Sequence, residues 1–250
     1  MFRTFVKRVS TPQQRQWVRQ TRARLWHPFV RMGHAVQHAA SELKEARARR
    51  RAPPEPAGET PFVDRFDSFS PPYRLHLGCG SVRLPGFCNV DALPGAAVDV
   101  LDDIRTLARF PDGSVEEIYT CHVLEHFAHD EVEPLLRRWH ALLKPGGCLR
   151  ISVPDMDRIV QVYAKNFDHF QKPSHTPWIG LIYGGQTTPY DFHKTGFNAC
   201  WLRYLLERNG FVDCKEYPHE PHFVPGTQDA SLVKEPFGEF LSLNMVATRV

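Results

Sequence analysis

The sequence predicts an α/β protein built on a mainly parallel, seven-stranded sheet whose last strand runs antiparallel. Three observations point there. From Tyr73 onward, short apolar runs alternate with segments of helical period, as in parallel strands joined by crossovers. Several of those runs end in glycine or aspartate, at the strand ends where open α/β sheets hold ligands. The last two runs are joined by 218–239, which has no helical period and reads as a long hairpin connection.

The elements follow in order. Residues 1–51 read as a basic helical extension. Phe2, Phe5, Val6 and Val9 fall at i, i+3, i+4 and i+7 and share one face. Thr11-Pro12 caps a further helix, whose apolar edge of Trp17, Val18, Leu25 and Trp26 is interrupted by Pro28. Residues 52–72 read as a linker, because the prolines of "APPEPAGETP" cannot sustain a helix. The domain proper is 73–250. Its strands are expected at 73–77, 87–90, 97–100, 116–121, 147–153, 211–217 and 240–248, and its helices at 129–143, 155–165 and 198–209. Only Gly78 to Gly86 separate the first two strands, which leaves room for a single helical turn.

Charge is divided unevenly. Residues 1–51 carry 13 Lys and Arg against 2 Asp and Glu, a net of +11; the remainder carries 18 against 26, a net of −8. The basic arm with its aromatic residues is expected to meet an anionic surface, either a membrane's inner face or an acidic partner. No apolar run approaches the roughly 18–20 residues of a membrane span. The six cysteines form no CxxC pair and read as reduced, buried thiols of a cytoplasmic protein.

The strand ends carry the chemistry. The first ends in Gly78-Cys79-Gly80, where a ligand can press on bare backbone. The third glycine of a pyrophosphate-binding GxGxxG is absent, since Arg83 stands in its place. The second ends at Asp91, suited to two ribose hydroxyls, and the third is followed by Asp102-Asp103. The fourth ends "CHVLEH" and the fifth "SVPD" at Asp155. A cleft of acids and small residues without a phosphate cradle suits a nucleoside with a neutral or positive tail. S-adenosylmethionine has that form.

The motifs "LHLGCG", "NVD", "DDIRTLARFPDGSVEEIYTCHVLEHF" and "LLKPGGCLRISVPD" occur in that order. In this the segment 73–155 resembles class I S-adenosylmethionine-dependent methyltransferases, with their Rossmann-like fold. The "LPGFCNVD" form resembles a subgroup associated with cell-surface polysaccharide synthesis. The resemblance implies that Gly78, Cys79 and Gly80 meet the methionyl part of the cofactor and that Asp91 binds its ribose. It also implies that Asp103, with Asp102 as alternate, lies beside the adenine, and that His122 lines the pocket. His76 stands where the family often carries an acid.

The acceptor side is expected in "YGGQTTPYDFHKTGF" (183–197), with Asp191, Lys194 and Asp155 as substrate contacts. His193 is the first candidate for a general base and His122 the second. Glu125-His126 read as a helix start that shapes the pocket. No metal ligands are assigned; His219-x-x-His222 lies in a proline-bounded loop, and Asp155, Asp157 and Asp191 are an unfavoured cation set. The acceptor is expected to be an oxygen of a small molecule or glycan precursor. An inactive scaffold or an RNA methyltransferase using the basic arm are the alternatives. Adenine chemistry on nucleic acid is disfavoured, because "CHVLEH" stands where a [DN]PP[YFW] tetrad would be needed.

Overall fold

The structure is a computed structural model that describes residues 62–171, 178–234 and 238–250. The basic extension and residues 52–61 of the expected linker lie outside the described residues. The sheet has seven strands: β1 (Tyr73–Leu77), β2 (Cys88–Asp91), β3 (Val100–Leu101), β4 (Val115–Cys121), β5 (Leu143–Pro154), β6 (Phe211–Glu216) and β7 (Ser242–Arg249). Their spatial order is β3-β2-β1-β4-β5-β7-β6. Strands β1 to β5 are parallel, and β7 runs antiparallel to both β5 and β6, between which it lies. This is the Rossmann-like arrangement the sequence predicts. The main helices are α1 (His129–Leu142), α2 (Met156–Lys165) and α5 (Ala199–Arg208); two short ones, α3 (Phe167–Phe170) and α4 (Trp178–Tyr183), have no counterpart in the sequence reading.

Side-chain alternation explains why the two faces differ. On β1, Tyr73, Leu75 and Leu77 join Ile118 of β4 in the main core. That core also takes Val132, Leu135, Leu136 and Trp139 of α1, and Leu202, Leu205 and Leu206 of α5. The interleaved residues Arg74, His76, Glu117 and Tyr119 point the other way, as the two-residue period of a strand requires. There Glu117 accepts from Arg74 (Nη2, 2.7 Å) and from Arg150 (Nε, 2.9 Å). Leu84, Phe87 and Val224, all from loops, pack with Tyr119 on this face. Helices α2 and α4 add a satellite cluster of Ile159, Val162, Leu181 and Ile182 around Phe170 and Leu241.

Two local departures have physical causes. The β1–β2 connection contains no helical turn. Buried Asn89 replaces it: its Oδ1 accepts from Leu84 N (2.9 Å), and its Nδ2 donates to Phe87 O (3.1 Å) and to Asp99 Oδ2 (2.8 Å). One amide thus satisfies the loop's backbone and fixes the strand that carries Asp91. Residues 62–72 are not simply a tether, because Phe66 packs edge-on against Phe110, with ring centroids 5.2 Å apart.

Candidate functional site

A cleft of about 650 Å³ opens at the carboxyl ends of β1, β2, β3 and β4. Gly78, Asp91, Asp102, Asp103 and His122 line it together with Lys194, so most of the sequence-predicted residues converge. Its remaining walls include Leu93, Arg105, His126, Phe127, Glu131 and Tyr190.

The glycine turn begins the site. Gly78 holds φ +66°, and a Cβ built there would lie 2.4 Å from Val123 Cγ2, so the turn presses against the residue that follows His122. All three of its amides are occupied. Gly78 N and Cys79 N donate to Val90 O (2.9 and 3.2 Å), and Gly80 N donates to Asp91 Oδ2 (2.8 Å). Leu93 N donates to the other carboxylate oxygen of Asp91 at 3.0 Å. Two backbone donors therefore fix the carboxylate at the cleft wall and leave each oxygen a further lone pair. Cys79 is buried, does not line the cleft, and burial pushes its thiol up to about 12.

The two acids after β3 differ sharply. Asp103 is gripped by Arg105 through Nε (3.0 Å) and Nη2 (2.8 Å), chiefly a side-chain bond that lowers its pKa. Asp102 accepts from Asp103 N (2.8 Å) through Oδ1, while its Oδ2 is buried without a partner. Burial raises its pKa. Asp102 Oδ2 is closed off from the cleft, whereas Asp103, whose side chain is 45% exposed, is the acid a ligand can reach.

The acceptor side is built after β4. His122 holds φ +54°, a conformation rare outside glycine, and its backbone N donates to Ser152 O at 2.8 Å. Burial lowers its pKa to about 4, with His193 and His126 adding repulsion, so it is neutral at pH 7. Glu125 is 1% exposed, neither of its carboxylate oxygens has a hydrogen-bond partner, and burial pushes its acid up to about 8. His122 Nδ1 lies 3.5 Å and His193 Nε2 3.9 Å from Glu125 Oε1. The rings of His126 and His193 meet edge to face, centroids 4.9 Å apart. Lys194 N and Thr195 N donate to Glu125 O (2.7 and 3.2 Å), which ties segment 183–197 to the end of β4.

Three expected contacts sit elsewhere. Asp191 accepts from Gly185 N (3.1 Å), Thr187 N (3.3 Å) and Thr187 Oγ1 (2.8 Å), so it folds its own loop, as short polar turn residues do. Asp155 caps α2 by accepting from Asp157 N (3.0 Å) and does not line the cleft. His193 also lies behind the cleft wall, its ring turned toward Glu125. His219 and His222 have separate partners, Ser242 O (2.7 Å) and Val224 O (3.1 Å). Among the described residues one group of potential metal ligands forms: Glu125, His126 and His193, with one ligand atom of each within 4.8 Å of the others. The sequence reading missed it, because residues 125–126 and 193 come from segments with no shared period.

Residues 89–151 match the family described as "Methyltransferase domain", about a quarter of the chain. Among solved structures, the chain is similar to an S-adenosylmethionine-dependent methyltransferase from Archaeoglobus fulgidus, with TM-score 0.43 and 18% identity, covering 83% of this chain and 94% of that one. It is similar to another from Methanosarcina mazei, with TM-score 0.44 and 14% identity over 71% and 92%. A third is the 1,6-didemethyltoxoflavin-N1-methyltransferase of Burkholderia thailandensis, with TM-score 0.42 and 18% identity over 71% and 72%. No curated protein matches the sequence. The matched residues run from β2 into β5 and include Asp91, Asp102, Asp103 and His122 of the cleft. Among the described residues no helix is long and apolar enough to cross a membrane.

Proposed function

We propose that this chain transfers the methyl group of S-adenosylmethionine to an oxygen of a small-molecule or cell-surface glycan acceptor. The observation that carries the cofactor's place is the occupied glycine turn. Its three amides serve Val90 O and Asp91, so none is left to cradle a phosphate, while Asp91 offers two fixed oxygens for a ribose. Asp103, whose carboxylate is accessible at the cleft, accepts from the adenine amino group. The sulfonium is a good leaving group, and catalysis then rests mainly on alignment, worth up to ~7–11 kcal/mol in favourable cases. The acceptor approaches past Tyr190 and Lys194 toward the end of β4, where His126 lines the cleft and His122, His193 and Glu125 stand around it. Of these, His122 and His126 line the cleft on the acceptor's path. The glycan assignment rests on the resemblance of "LPGFCNVD" and its short, Asn89-tied connection.

The test is methyl transfer from labelled cofactor into fractionated glycan, lipid, protein and RNA pools. Label in an oxygen ether or ester of the glycan or small-molecule fraction is the expected result. Label confined to RNA would replace the acceptor assignment with the nucleic-acid alternative.

A further inference from the structure

We propose that Glu125, His126 and His193, with His122 as a fourth donor, form a binding site for one divalent transition-metal ion behind the acceptor side of the cleft. The first observation is the buried Glu125 carboxylate, which has no hydrogen-bond partner on either oxygen. A buried anion in that state is unfavourable unless a cation or proton shares its space.

The second observation is that the nitrogens facing Glu125 carry lone pairs. A backbone carbonyl only accepts, so the ring nitrogen bonded to it must hold the proton. His193 Nδ1 lies 3.1 Å from Leu181 O, which leaves Nε2, the atom nearest Glu125, bare. His126 Nδ1 lies 3.2 Å from Phe192 O, so its other nitrogen is bare too. His122 Nε2 lies 2.8 Å from Ser242 Oγ, whose own hydrogen goes to Ala230 O at 3.2 Å. The proton on His122 is therefore on Nε2, and Nδ1 faces Glu125 as an acceptor. With Glu125 ionised, electron-pair donors gather around a space that a proton or a cation must fill. Metal-bound histidines are held in this way, donating their remote N–H to a carbonyl or other acceptor.

The donor set selects the ion. One carboxylate with two or three imidazoles suits Zn²⁺, Mn²⁺ or Fe²⁺, whereas Mg²⁺ and Ca²⁺ favour oxygen ligands. Ligands about 2.0–2.2 Å from a shared ion lie roughly 3.3 Å apart, so the three groups need only draw in from their present spacing. His126 lines the cleft and gives the ion a face toward the acceptor.

The catalytic consequence rests on the methyl-transfer reading; the ion site itself does not. With an ion held there, an acceptor hydroxyl reaching it would become more acidic and would release its proton to solvent. Its oxygen then forms a bond to the methyl carbon as the carbon–sulfur bond breaks. The electron pair of that bond stays on sulfur, giving S-adenosylhomocysteine.

The experiment uses the full chain stripped with chelator and titrated with Co²⁺ and Zn²⁺ by visible absorption and calorimetry. The expected result is one ion per chain with visible Co²⁺ d–d bands. Glu125→Gln and His126→Ala should each weaken it at least about tenfold, and His219→Ala should leave it unchanged. His126→Ala removes a side chain at the cleft wall and keeps the test valid if Glu125→Gln fails to fold. Absence of a one-to-one site at pH 8, or equal affinity in His126→Ala and wild type, would overturn the proposal; a proton on Glu125 would then be the occupant. Loss of S-adenosylhomocysteine binding with the ion site intact would instead strike the methyl-transfer reading.

Discussion

Replacing Gly78 by alanine probes the joint between the cofactor turn and the end of β4. Two costs add. An L-residue at φ +66° costs about 1–2 kcal/mol. The new Cβ also falls 2.4 Å from Val123 Cγ2, closer than real carbon contacts come, and 3.3 Å from Cγ1, and overpacking of that kind costs roughly 1–3 kcal/mol. Gly78→Ala should therefore destabilise by about 2–5 kcal/mol. Gly80 is the internal comparison: its φ is +53°, but nothing lies within 4 Å of a Cβ there, so Gly80→Ala should cost only the first ~1–2 kcal/mol. Val123→Ala removes two methyl groups at ~0.8 kcal/mol each, plus a small void that the alanine at position 78 then fills. The double variant should recover about 1–3 kcal/mol relative to the sum of the singles. Urea denaturation of the four proteins measures this. Equal losses for Gly78→Ala and Gly80→Ala, or additivity of Gly78→Ala with Val123→Ala, would refute the steric account.

Three further outcomes are expected. Asp103→Asn should weaken S-adenosylhomocysteine binding more than Asp102→Asn, by titration calorimetry, because the Asp103 carboxylate is accessible at the cleft and Asp102 Oδ2 is buried away from it; the reverse order would move the adenine contact to Asp102. Asp229 is buried, which alone would raise its pKa, but bonds from His222, Ser231 and Tyr119 outweigh burial and hold it well below the carboxylate range. A depressed folded pKa gives stability that is present above the unfolded value near 3.9 and is lost as pH falls. The melting temperature of the wild type should thus fall more steeply below about pH 4 than that of Asp229→Asn, and parallel curves would count against it. The net +11 of residues 1–51 should bind the full chain to anionic liposomes in flotation at low salt and release it at high salt; salt-insensitive flotation would argue against an electrostatic arm.

Much of the fold was legible because the strands carry their own period. The β1 limits agree with the sequence reading, and α1, α2 and α5 fall within a residue of theirs. The alternation of Arg74 and His76 with Leu75 and Leu77 also held a clue that the two faces of β1 meet different surroundings, but the apolar content of the run masked it. On the site, Gly78, Asp91 and His122 were readable because strand ends converge in an open sheet. Asp155 and Asp191 misled for the reason the motifs are short. Asp155 after its strand caps a helix and Asp191 in its loop accepts from that loop, roles an aspartate takes as readily as it meets a ligand. The Glu125, His126 and His193 cluster was beyond reach, since its two segments meet only in the folded chain, through contacts such as those of Lys194 N and Thr195 N with Glu125 O.

The central claim is a nucleoside cleft whose glycine amides are already occupied and whose Asp91 grips a ribose. Calorimetry of the full chain against S-adenosylhomocysteine and NAD, repeated with Asp91→Ala, tests it most directly. The account predicts one-to-one binding of S-adenosylhomocysteine, weakened by roughly 1.5–3 kcal/mol in the folded variant, and no binding of NAD. Tight NAD binding, or undiminished S-adenosylhomocysteine affinity in Asp91→Ala, would contradict it.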